Sequence, residues 1–170
     1  MGESYRTTRE FASRGTRGYV KHCGPTAVTN LVLTLRPELA CSAARVFDTV
    51  VDIGQRSLAY VNLRATKHFG GTSDVLAVVF IRRVLQHFDL GGCKVHFGGP
   101  ATAQRVRKAL AEGRIVYMET HFHPKYRNHH LLLYGADNKG LRAADGWRSS
   151  PVWLSDSDLR GALYIVITRG

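Results

Sequence analysis

The chain has 170 residues, with 24 lysines and arginines against 13 aspartates and glutamates, and its net charge is +11. This length predicts one domain, residues 1–170, and the ordinary hydrophobic share excludes a wholly disordered chain. No apolar run reaches the eighteen residues or more of a membrane span, so none is expected.

Residues 1–17 are polar and rich in arginine, and they predict an irregular arm without the apolar core of a secretory signal. The expected location is therefore cytoplasmic. The basic residues are spread over the whole chain, so no specific nucleic-acid partner is predicted. The three cysteines lack a CxxC pair, which argues against a disulfide framework or a four-cysteine zinc site.

Helices are predicted for the first two thirds of the chain. Apolar residues at helical spacing predict a helix from near Cys23 to about Leu35, ended by Arg36-Pro37. Ser42 is predicted to cap the next helix, and Ser73 a later one. The further predicted helices cover residues 43–53, the stretch that follows up to residue 63, residues 74–87 and residues 101–112. A loop is predicted over 68–71 and a strand over 94–97.

Strand patterns dominate after the glycine at position 113. The predicted strands cover residues 115–119, 129–134, 141–144 and 162–168. Helices followed by an antiparallel sheet predict an α+β fold in which two layers meet along a cleft.

Cys23 stands at the start of the first predicted helix. The free amide groups and the dipole of a helix N-terminus favour negative charge, so we expect a lowered pKa for this thiol. Gly24 is expected to let a substrate approach the backbone, and Pro25 suits the first helical turn. A buried structural cysteine is the alternative.

A histidine pair and an aspartate lie on two neighbouring predicted strands. His129 and His130 open one strand, and Asp145 ends the next. If the hairpin turns near Asn138, Asp145 lies opposite Leu131 and diagonal to His129 on one face. A register change of one residue would put them on opposite faces. Otherwise Asp145 is a turn residue before a glycine.

Taken in order, these motifs resemble the papain superfamily of cysteine peptidases, in particular the branch that removes double-glycine leaders from bacteriocins. The matching features are Cys-Gly-Pro-Thr-Ala opening an apolar helix, a histidine followed by apolar residues and glycine, and Asp-Gly-Trp. The resemblance covers roughly residues 17–168, although residues 40–100 match only as generic helix.

The resemblance implies a papain-like fold and a Cys-His-Asp triad that cleaves an amide bond through a thioester. Cys23 would be the nucleophile. His129, six residues before Gly135, would be its base, and Asp145, sixteen residues after His129, would orient the ring. Trp147 would shield the His–Asp contact, or else be a core aromatic. The implied partner is a peptide or protein substrate, with no cofactor and no metal.

One position departs from the family pattern. The family places an oxyanion-binding glutamine six residues before the cysteine, where this chain has Arg17. The Cys23 amide would serve as one donor, with Arg17 or His22 supplying a second. Loss of such a donor lowers the rate about a hundredfold or more.

Three alternatives remain open. The same triad would support transamidation or another acyl transfer, because both reactions use the same acyl-enzyme. A binding module that has lost catalysis is consistent with the missing glutamine. Zinc binding by His121 and His123, with His129 and His130 nearby, is a third possibility, although no carboxylate or cysteine stands beside them at a ligand spacing. The loop over 122–128 is instead expected to line the cleft, as are residues 40–75.

Overall fold

The computed structural model describes residues 21–62, 70–148 and 150–170, and these residues form an α+β fold. The helices are α1 (Cys23–Leu35), α2 (Ala43–Arg56), α3 (Ala77–His87) and α4 (Ala103–Ala111), with short 3-10 helices at Pro37–Ser42 and Asp156–Leu159. The strands are β1 (Tyr60–Asn62), β2 (Gly70–Thr72), β3 (Lys94–Pro100), β4 (Ile115–His123), β5 (Arg127–Asp137), β6 (Gly140–Ala144), β7 (Val152–Leu154) and β8 (Leu163–Thr168).

The larger sheet is antiparallel, in the order β3-β8-β4-β5-β6-β7, and β1 pairs with β2 in a separate small sheet. Strands β4 and β5 form the centre of the larger sheet and are joined by a hairpin. Because side chains alternate across a strand, this hairpin presents one set of residues to each face.

Both faces of the large sheet are covered. Tyr117 and Leu132 pack against α1 and α3 on one face, and Met118, Leu131 and Leu133 pack with α4 residues on the other. Burial on both faces explains the unbroken apolar run of β5. Two layers were expected, but the structure has three, because α4 lies on the sheet face opposite α1.

Helix α1 connects the core to the cavity described below. Its middle is wholly buried, and the hydroxyls of Thr26 and Thr29 donate to the carbonyls of His22 and Pro25. These bonds satisfy polar groups that would otherwise be costly to bury. The helix ends at Leu35, before Arg36-Pro37, which confirms the predicted boundaries.

The other predicted elements agree with the structure to different degrees. The C-terminal strands are confirmed, with β4 and β5 extending beyond their predicted ends. The predicted helix on to residue 63 is wrong, because Tyr60–Asn62 is strand β1, and the predicted loop over 68–71 includes the start of β2. Ser42 is the N-cap residue of α2, but its hydroxyl donates to the Leu39 carbonyl instead of accepting a cap bond. Ser73 does not cap α3, because a turn over 74–76 precedes it.

Among the described residues, no helix combines the length and the apolar character needed to cross a bilayer.

Candidate active site

A cavity of about 1000 Å³ opens at the N-terminus of α1, beside the β4–β5 hairpin. It brings together six of the residues singled out in the sequence: Cys23, His22, His121, His129, His130 and Trp147. Arg17 lies outside the described residues. The hairpin contributes residues over 126–128, as expected, whereas residues 40–75 contribute only Gly71, Thr72 and Asp74 among those described.

Cys23 is the first residue of α1, and it is half-buried in the cavity wall. Burial raises the pKa of its thiol, and the main-chain amides of His130 and Gly24 oppose this rise. The expected lowering of the Cys23 pKa is therefore wrong, because loss of water outweighs the helix N-terminus. The thiol needs a base to remove its proton before it can act as a nucleophile.

His129 is a buried residue of β5 whose orientation is set by a main-chain group. Its Nε2 lies 2.7 Å from the carbonyl oxygen of Asp145. A carbonyl only accepts, so Nε2 carries the hydrogen, and Nδ1 of the neutral ring holds the lone pair. Burial lowers the pKa of His129, which favours this neutral form. His129 therefore has the tautomer of a base that acts through Nδ1.

No hydrogen bond joins the two described side chains of Cys23 and His129, although both line the cavity. Catalytic hydrogen bonds are often absent or long before a substrate binds. Cys23 and His129 thus share a cavity but are not connected in this structure.

Asp145 is fully buried, and it contacts His129 through its carbonyl rather than its carboxylate. Its Oδ1 accepts from the main-chain amides of Trp147 and Arg148, at 2.9 and 3.0 Å. The register that places it there is the predicted one near the site, with Leu132 opposite Ala144. A bulge after Leu133 shifts the pairing toward the turn. The Asp145 carboxylate therefore stabilises the turn that follows it, and the Asp145 carbonyl orients the ring of His129.

Two aromatic rings flank the ring of His129. Tyr126 stacks on it with centroids 5.7 Å apart, and Trp147 lies 4.6 Å away. Trp147 is 41% exposed, so it covers the histidine from the solvent side instead of belonging to the core. Tyr126, by contrast, is buried. The sequence did not identify Tyr126 as a site residue. The only signal was its place in the loop before His129.

Two further predicted residues border Cys23. His22 is half-buried, lines the cavity and packs edge-on against Phe47 at 5.7 Å. Gly24 is buried, and a side chain there would overlap Thr72. The missing side chain of Gly24 therefore makes room for Thr72, and its expected role in substrate approach stays a prediction.

His130 differs from His129 in both its orientation and its electrostatics. Its Nδ1 lies 2.9 Å from the Tyr117 hydroxyl, and Glu119 is its cross-strand partner. Burial, with added repulsion from His129 and His121, lowers the pKa of His130 to about 3. A ring with so low a pKa accepts a proton poorly, which favours His129 as the base, in agreement with its spacing from Gly135.

The zinc alternative based on His121 and His123 is not supported by their positions. His123 is buried with its Nε2 3.0 Å from Asp158 Oδ1, and its Nδ1 accepts from the amides of Lys125 and Tyr126. Both ring nitrogens are therefore engaged in holding the hairpin. His121 instead lines the cavity, 3.5 Å from Asp74.

No family model matches the chain, and no curated protein does. Two solved structures are similar to it in outline. One is a Bacillus anthracis protein assigned provisionally as a C39-like peptidase, with 12% identity and a TM-score of 0.39 over 55% of this chain and 57% of that protein. The other is the peptidase domain of Streptococcus ComA, a bi-functional ABC transporter of a quorum-sensing pathway, with 13% identity and a TM-score of 0.46 over 88% and 93% of the two chains.

Proposed function

We propose that the chain is a cysteine peptidase-like hydrolase that cleaves an amide bond with Cys23, His129 and Asp145. The observation that carries the proposal is the shared cavity, in which Cys23 begins α1 and His129 has an unprotonated Nδ1. A nucleophile and a neutral base that face one space are the minimum for covalent acyl transfer.

In the proposed reaction, His129 Nδ1 takes the proton of the Cys23 thiol as the sulfur attacks the substrate carbonyl. The tetrahedral intermediate collapses when Nδ1 returns this proton to the leaving amine, and a thioester remains. Nδ1 then removes a proton from water as the water attacks the thioester carbonyl. The C–S bond breaks, the acid is released, and Nδ1 returns the proton to the Cys23 sulfur. The Asp145 carbonyl keeps the ring oriented, and the nearby carboxylate favours the charged ring.

The developing oxyanion needs donors at the N-terminus of α1. The main-chain amide of Cys23 would be the first, by analogy with the resembled family, and His22, which lines the cavity, would offer a second. Arg17 stays a candidate donor by its sequence position. The absence of a glutamine there is consistent with a slower enzyme than the family pattern implies.

The proposed substrate is a peptide or protein. The resemblance to peptidases that remove double-glycine leaders favours a chain in which Gly-Gly precedes the cleaved bond. The same thioester would also pass its acyl group to an amine, so transamidation is tested together with hydrolysis.

The test is incubation of the full chain with a library of peptides that contain internal Gly-Gly sites, with and without an added amine, and analysis by mass spectrometry. We expect cleavage after one class of site and its loss in Cys23→Ala. The matched control is Cys93→Ala, which removes another half-buried thiol outside the cavity and should leave cleavage unchanged. Cleavage that survives in Cys23→Ala would contradict the proposal.

A peptide-binding module is the second candidate function. It is favoured by the raised pKa of Cys23 and by the absent hydrogen bond to His129. This candidate predicts that a peptide binds in the cavity equally well in the wild type and in Cys23→Ala, with no product from either. Calorimetry with the same peptide library separates binding alone from binding with turnover.

A further inference from the structure

A buried carboxylate in the cavity wall has no part in the proposed reaction. Glu119 is only 3% exposed, and its Oε1 has no hydrogen-bond partner. Among the described residues, its ion-pair partner is His130, whose Nδ1 lies 3.8 Å away, which is too far for a hydrogen bond. Burying a carboxylate without a partner is costly, so the position calls for a neutralising group.

Asp74 brings a second carboxylate to the same place. One ligand atom each from Asp74, Glu119 and His130 lies within 4.8 Å of the other two. Within residues 21–62, 70–148 and 150–170, the ion pairs of these carboxylates are with His121 and His130, not with a lysine or arginine. Two carboxylates this close repel each other unless a proton or a cation lies between them.

The three residues come from three elements that the fold holds in place. Glu119 and His130 are cross-strand partners on β4 and β5, and by alternation they share the sheet face of Tyr117 and Leu132, which pack against α1. Asp74 lies in the turn before α3. The strand pair lies at the centre of the sheet, and Asp74 is partly exposed at the cavity. A ligand would thus reach the buried pair through the cavity.

We propose that Asp74, Glu119 and His130 bind a divalent transition-metal ion such as Zn²⁺. One imidazole and two carboxylates suit such an ion, whereas calcium takes six to eight oxygens. Three protein ligands would leave a position open to the cavity. This site differs from the histidine pair considered in the sequence, since only His130 belongs to both, and it does not depend on the proposed hydrolysis.

Tyr117 provides a further test of metal binding at His130. Its hydroxyl lies 2.9 Å from Nδ1 of His130, the ring nitrogen nearest to Glu119. A metal ion bound to Nδ1 would replace this hydrogen bond. Tyr117→Phe removes the competing hydroxyl and should bind Zn²⁺ at least as tightly as the wild type.

The test is isothermal titration of the full chain with ZnCl₂ after dialysis against a chelator. We expect one Zn²⁺ per chain and a loss of affinity of about tenfold or more in Glu119→Gln and in Asp74→Asn. His96→Gln is the control, because this exposed histidine lies outside the cavity. If Glu119→Gln does not fold by circular dichroism, the partly exposed Asp74→Asn still gives the answer.

The cysteine in the same cavity is tested separately. Cys23→Ser should keep the site, since Cys23 is not among the three ligands. Binding lost in Cys23→Ser would overturn the proposal and indicate a thiolate site. Equal binding by the wild type and both carboxylate variants, or no stoichiometric binding, would also overturn it, and a proton shared by Asp74 and Glu119 would then explain the cluster.

Discussion

Replacing His129 by alanine should lower kcat/KM for a cleaved peptide by about 10²–10⁴-fold, the usual contribution of a general base. The reason is that burial raises the pKa of Cys23, so the thiol needs a base to lose its proton. The measurement is the rate of product formation under conditions in which the wild type and His129→Ala are both folded.

The neighbouring histidine provides the control. His130→Gln keeps a polar partner for the Tyr117 hydroxyl but removes a ring whose pKa is about 3. Its rate should fall far less than that of His129→Ala. The reverse order of effects would show that His130 is the base and that spacing and electrostatics both selected the wrong residue.

Replacing Asp145 by alanine should destabilise the fold by about 1.5–3 kcal/mol, because two main-chain amides lose a charged acceptor. These are the amides of Trp147 and Arg148, and the side chain of Trp147 lies against the ring of His129. The measurement is the free energy of unfolding from denaturant titration. The loss of Trp147 packing should be seen as a change in tryptophan fluorescence.

Asp145→Asn separates the structural role of this residue from its electrostatic one. The amide oxygen keeps both acceptor bonds, so the unfolding free energy should change by less than about 1 kcal/mol. The rate should fall only about tenfold, because the carbonyl still sets the tautomer of His129. In a Ser-His-Asp peptidase whose carboxylate sets the tautomer, the same change lowers the rate about 10⁴-fold. A loss of that size here would mean that the carboxylate contacts the ring during turnover.

Much of the frame could be predicted from local sequence. The apolar stripe and Pro37 define α1, and a hairpin centred near Asn138 predicts the register observed between β5 and β6 near Ala144, although a bulge after Leu133 separates that register from the pairing at the turn. These features depend on neighbours in sequence, where spacing and turn chemistry determine the geometry. The α+β class follows from the same patterns.

The predictions that failed concern features that depend on contacts between residues distant in the sequence. Strand β1 exists because it pairs with Gly70–Thr72, and its three residues carry no strand pattern of their own. The contact of His129 with a carbonyl instead of a carboxylate depends on the backbone conformation at Asp145 and on the turn that engages its carboxylate, which no spacing reveals. The position of Glu119 beside His130 could have been predicted, since a hairpin over 121–128 pairs the two residues. The position of Asp74 could not, because Asp74 reaches the cavity only through the packing of α3.

The most direct test of the proposed chemistry is the rate at which each cysteine reacts with iodoacetamide at neutral pH, followed by peptide mapping. Cys41 is exposed and Cys23 is half-buried, so exposure alone predicts faster reaction at Cys41. If His129 activates Cys23, Cys23 should react about tenfold faster or more, and His129→Ala should remove this advantage. If Cys23 reacts no faster than Cys41 and Cys93 in the wild type, His129 does not activate it, and the proposed peptidase chemistry is wrong.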